Sequence, residues 1–169
     1  MTHSKKETDS ENGQKSAGDS QEQREAEQEL FHRLERKLNV QLERNKELGV
    51  DRGATVNVDA FCKKPKIFCE IFAHLGKLKG GQVKKVMTDA MKLLYVSRCH
   101  GGGKRILVFA NKAAALPFRK RGKWMAECLR ANKIQVLPLR LSMARQRKVE
   151  AAQIRQGKAI SGKGMVYLP

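Results

Sequence analysis

The segment from Lys104 to Lys158 limits the fold more than any other part of this chain. It opens on Ile106-Leu107-Val108-Phe109-Ala110, apolar at every position and rich in β-prone residues. A half-buried strand needs alternation, so an unbroken run of this kind predicts a strand buried on both faces, as in a parallel sheet. Asn111 is placed to cap a helix after it. A small-residue run, Pro117 and the basic loop Arg119-Lys120-Arg121-Gly122 then predict an interrupted helix. Helix resumes over Lys123 to Ala131, with Trp124, Cys128 and Leu129 facing inward. Ile134 to Leu139 is a second buried strand, with Pro138 marking its end or an edge. Met143 to Gln156 reads as a helix with Val149, Ala152 and Ile154 among its apolar positions, and Gly157 ends it. Strand, helix, strand, helix is the rhythm of a parallel α/β sheet.

Upstream the pattern is less regular. Met1 to about Gln28 is polar after Met1 and predicts a disordered tail, because it has too little apolar surface to offset the entropy of ordering. From Glu29 to Leu48 the residues Leu30, Phe31, Leu34, Leu38 and Leu42 form one helical stripe, stopped at Gly49. Val56 and Val58 alternate in a short strand over Ala54 to Ala60. Pro65 suits the first turn of a helix whose buried face is Ile67, Phe68, Ile71, Phe72 and Leu75. Gly80-Gly81 is then a loop, Val83 to Arg98 a helix, and Gly101-Gly102-Gly103 a flexible turn.

Charge narrows the partner. The formal net charge is +18, unevenly spread: residues 1–29 carry 4 basic and 8 acidic side chains, whereas residues 101–169 carry 16 basic and only 2 acidic, Glu127 and Glu150. A surface this positive attracts a polyanion, of which nucleic acid is the commonest. A solvated basic face, or docking on an acidic protein or membrane surface, is the alternative. Cys62, Cys69, Cys99 and Cys128 form no CxxC pair, and the first twenty residues resemble neither a secretory signal nor a transit peptide. An intracellular protein with reduced thiols is expected, in nucleus, nucleolus or cytoplasm and not secreted. No run is long enough to span a membrane.

Three stretches resemble the second RecA-like domain of DEAD-box ATP-dependent RNA helicases. VNVDAFCKKPKIF is similar to the opening strand and first helix of that domain. ILVFANK is similar to the motif at a strand end that faces RNA. LPLRLSM followed by RQRKVEAAQIRQGK is similar to the stretch in which an arginine, here Arg147, binds RNA phosphate. The resemblance covers Ala54 to Lys158 and implies a partial RecA-like parallel sheet flanked by helices, occupying residues 54–169. The disordered tail (1–28) and the leading amphipathic helix (29–49) precede it. The family's His-Gly is replaced by Arg140-Leu141, and no Asp-Glu dipeptide occurs in the chain. The family's ATP and magnesium chemistry is therefore not expected of this chain alone, since it needs groups from two such domains.

Other chemistry fails on spacing. Gly157 to Lys163 has the spacing of a phosphate-binding loop, but Gly164 stands where Ser or Thr would hold magnesium, and a helix rather than a strand precedes it. Cys62, Cys69 and His74 along a helix, with Cys99-His100 elsewhere, lack the paired spacing of a zinc site. No catalytic residue, cofactor site or metal site is expected. What remains is cationic. Lys112 comes after the first strand and Arg140, Arg145, Arg147 and Lys148 after the second, and the resemblance of ILVFANK to an RNA-facing motif adds Asn111. Ligands of open parallel sheets bind beyond the carboxyl ends of the strands, so these six are the candidate RNA-binding residues. The expected function is RNA binding through phosphates, as a truncated or split piece of such a helicase, with a second RecA-like domain or a ribonucleoprotein assembly as further partner. A basic structural or assembly protein of a ribonucleoprotein particle is the alternative.

Overall fold

The computed structural model describes residues 21–162. Five strands form one mixed sheet in the order β1-β2-β3-β4-β5. They are β1 (Glu43–Gly49), β2 (Thr55–Cys62), β3 (Ile67–Phe72), β4 (Lys104–Phe109) and β5 (Ile134–Pro138). The helices are α1 (Gln21–Leu38), α2 (Gly80–Cys99), α3 (Lys112–Ala115), α4 (Trp124–Ala131) and α5 (Met143–Gly162). The α/β class is as expected, but the sheet is parallel only over β3, β4 and β5. β1, β2 and β3 form an antiparallel meander.

The parallel half follows from its residues. Ile106 to Ala110 are all buried, because even positions pack toward α1 and α5 while odd ones pack toward α2, α3 and α4. β4 and β5 lie side by side, with Phe109 opposite Pro138, as the βαβ rhythm predicts. Phe109 stacks on Phe72 and on Phe118, with ring centroids 5.1 and 5.4 Å apart, which ties the interrupted segment after β4 to the sheet. The interruption at Pro117 is a short 3₁₀ turn over Leu116–Phe118.

Several elements differ from expectation. The segment after Pro65 is strand β3, not a helix. All of Ile67 to Ile71 are buried, and a strand covered on both faces shows no alternation to distinguish it from a helical stripe. The Lys64–Pro65 peptide is cis and lies in the turn between β2 and β3. The leading helix stops at Leu38, where Asn39 takes a left-handed φ of 52° and the Leu42 amide donates to Glu35 Oε1 at 3.0 Å. Glu43–Gly49 is therefore an edge strand. α1 starts at Gln21, inside the span expected to be a tail, and buries Ala26 completely. The rest of that tail lies outside the described residues. Gly80-Gly81 begins α2 instead of forming a loop. Trp124 is 70% exposed and Cys128 is exposed, since α4 turns Ala126 and Leu129 to the sheet. Ile154 is likewise exposed, and α5 runs through Gly157 without ending there.

Candidate nucleic-acid interface and a buried carboxylate cluster

The three parallel strands end in register. Phe72, Phe109 and Pro138 are mutually aligned. The Ala110 amide donates to Phe72 O at 3.0 Å and the Leu139 amide to Phe109 O at 2.7 Å. Two residues past the aligned positions stand His74, Asn111 and Arg140, one on each strand tip. Every loop that leaves this edge carries exposed cations: Lys77 and Lys79 after β3, Lys112 after β4, Arg140 after β5. Lys77 and Lys79 were not legible as rim residues, because a helix over their segment would have hidden the edge. Their signal was the alternation of lysine with buried Leu75 and Leu78 in a stretch that crosses a sheet end.

The six expected residues divide. Asn111 caps α3, its Oδ1 accepting from the Ala114 amide at 2.8 Å. Lys112, Arg140, Arg147 and Lys148 are exposed. Arg145 is not free: it pairs with Glu25 and lies 3.7 Å from Glu29 Oε2, both on α1. Glu29 also accepts from the Ser142 amide at 2.6 Å and hydroxyl at 3.0 Å, fixing the start of α5. Burial works against its charge, but Ser142 and Arg33 outweigh that and hold its pKa below the ordinary carboxylate value. Glu22 takes Arg155 in the same way. Thus α1 neutralises one flank of the edge and leaves its centre, around Lys112 and Arg140, positive. α3 packs on the α2 layer and α5 on the α1 layer, so Lys112 and Arg147 lie on helices at opposite faces of the sheet, with the tips of β4 and β5 between them. Arg119 of the basic loop shares a cleft with Ile134, Gln135 and Val136 of β5. Arg130 Nη2 donates to Arg119 O at 2.6 Å there, and exposed Trp124 adjoins the loop. Burial and the nearby Lys79 both lower the pKa of His74 on this rim.

A second group was missed by sequence reasoning. Glu70 of β3 is 1% exposed, and Lys92 of α2 lies 2.8 Å from its Oε1. Lys92 also stands 3.4 Å from Asp89, which Lys85 approaches at 2.6 Å. Asp59 of β2 is next to Glu70 by register, one step beyond the Ala60–Cys69 pair. There the ladder is replaced by a side chain: Asp59 Oδ2 accepts from the Ile71 amide at 2.7 Å. β2 twists at this point, since Val56 and Val58 face α2 whereas Ala60 and Cys62 face α1. Burial raises the pKa of Asp59. Burial, with Asp59 beside it, raises that of Glu70 to about 8. Burial disfavours the Lys92 ammonium, yet Glu70, Asp89 and Asp59 together raise its pKa. The signal in the sequence was an acid inside an apolar run, Glu70 within Ile67–Phe72.

Among the described residues no group of three or more His, Cys, Asp or Glu is arranged to hold a metal ion. Gly157 to Gly162 lies within α5, so the near-match to a phosphate loop is helical where the described residues cover it. No helix among the described residues is long and apolar enough to cross a membrane. No protein-family model, curated protein or solved structure matches the chain.

Proposed function

We propose that this protein binds nucleic acid through its phosphate backbone at the carboxyl edge of β3, β4 and β5. The observation that carries the reading is that exposed Lys77, Lys79, Lys112 and Arg140 all follow strands whose ends are in register. Charges so placed neutralise consecutive phosphates and fix a strand's position without reading its bases. RNA is the favoured polymer because ILVFANK and RQRKVEAAQIRQGK resemble RNA-facing helicase motifs. No ATP-driven step is part of the reading. A structural role in a ribonucleoprotein particle would use the same rim, but would require the assembled particle rather than free RNA. The test is a titration of free, unstructured RNA at increasing salt. Binding that weakens steeply with salt and varies little with sequence is expected; no binding to free RNA at low salt would refute the reading.

A further inference from the structure

At the opposite, amino edge of β4 and β5, a groove of about 630 Å³ runs between α2 and the end of α4. One wall is apolar and aromatic: Met91, 70% exposed, Leu94, and Tyr95, 36% exposed, stand within one turn of α2. Arg98 on the next turn of the same helix, Arg105 of β4 and Asn132 at the end of α4 complete the lining. Among the described residues no carboxylate lines it. The Tyr95 hydroxyl donates to Asp51 at 3.4 Å, so the phenol is held from the side of its oxygen. Arg98 lies over the Tyr95 ring, 5.8 Å from its centroid. Arg105 Nη1 donates to buried Ser97 at 3.3 Å, while its Nε is shut from water with no acceptor. Neither arginine has an ion-pair partner among the described residues. A guanidinium partly stripped of water and left without a counter-charge favours an anion beside it. Asn132 gives its amide hydrogens to Cys128, which leaves its carbonyl oxygen unengaged.

We infer that this groove is a nucleotide site, separate from the rim. An aromatic base lies along Met91 and Tyr95, and its phosphate meets Arg98 and Arg105. The size suits one such ligand, since small-molecule sites span roughly 300–1,000 Å³. The unit is a free nucleoside monophosphate or one residue of a single strand, and the two share this chemistry.

Calorimetric titration of the full chain with AMP, and separately with a five-residue oligouridylate, tests it. Met91→Glu places a carboxylate at an exposed position in the groove without touching the core, and should weaken the ligand that binds by about tenfold or more. Tyr95→Ala should do the same. Lys112→Ala/Arg140→Ala should leave AMP binding unchanged, which separates this site from the rim. AMP binding lost in Met91→Glu assigns a free nucleotide. Oligouridylate binding that alone responds to Met91→Glu, with ultraviolet cross-linking at Tyr95, assigns a strand residue. The inference is overturned if neither ligand responds to either variant. It is equally overturned if inorganic phosphate displaces AMP as well as AMP does, or if only an acidic peptide occupies the groove.

Discussion

Lys92 on α2 holds its ammonium 2.8 Å from the buried Oε1 of Glu70 on β3, yet Glu70 still titrates near pH 8, because burial and the neighbouring Asp59 both oppose its charge. In the unfolded chain the same carboxyl loses its proton near 4.5. The folded state therefore holds the extra proton between those values. The stability this gives is fully present below the unfolded value and disappears as pH rises through about 8. Glu70→Gln should flatten the fall in stability between pH 5 and 8, measured by urea unfolding at several pH values. Parallel curves for the variant and the natural protein would show that Glu70 does not carry it.

Arg145 and Arg147 sit two residues apart at the start of α5 and should behave differently. Arg145 is held by Glu25 and Glu29, so Arg145→Ala should cost stability on the order of 1 kcal/mol, with little effect on RNA affinity. Arg147 is exposed and should show the reverse, a several-fold loss of RNA affinity with unchanged stability. Thermal melting and RNA titration of the two variants decide this. Equal effects on binding would mean that α1 releases Arg145 to the polymer.

The chain has one tryptophan, and it is 70% exposed next to the basic loop at Arg119–Lys123. If that loop lies along bound nucleic acid, single-stranded RNA should quench the fluorescence of Trp124, and Trp124→Ala should weaken binding by roughly tenfold, the scale of one base–aromatic stack. Unchanged emission at saturating RNA would take the loop out of the interface.

Gly103 has a φ of +149°, and a Cβ there would come within 2.7 Å of the Phe68 ring and 3.0 Å of the Lys66 backbone oxygen. Phe68 is fully buried, so the ring has no room to yield. Gly103→Ala should destabilise by about 1–3 kcal/mol, the scale of overpacking together with backbone strain. Denaturant unfolding measures it, and a neutral effect would mean that the β3–β4 approach relaxes freely.

The parallel half of the sheet was legible because Ile106–Ala110 and the mostly apolar Ile134–Leu139 are short segments separated by a helical pattern, the rhythm of a βαβ unit. The meander was not. Ile67, Phe68, Ile71 and Phe72 match a helical stripe as well as they match a doubly buried strand, and the turn at Lys64–Pro65 offered no further sign. That one ambiguity concealed both the β2–β3 contact of Asp59 with Ile71 and the position of Glu70 against α2. It also hid Lys77 and Lys79 as parts of the rim. Arg145 and Arg147 look alike in sequence, and only the packing of α1 on α5 separates them.

The account rests on phosphates meeting the cationic rim at the ends of β3, β4 and β5. The most direct measurement is the salt dependence of binding to single-stranded RNA for the natural chain and for Lys77→Ala/Lys79→Ala/Lys112→Ala/Arg140→Ala. Removing four phosphate contacts should reduce the slope of log affinity against log salt by about 3. An unchanged slope, with the variant still folded, would contradict the account.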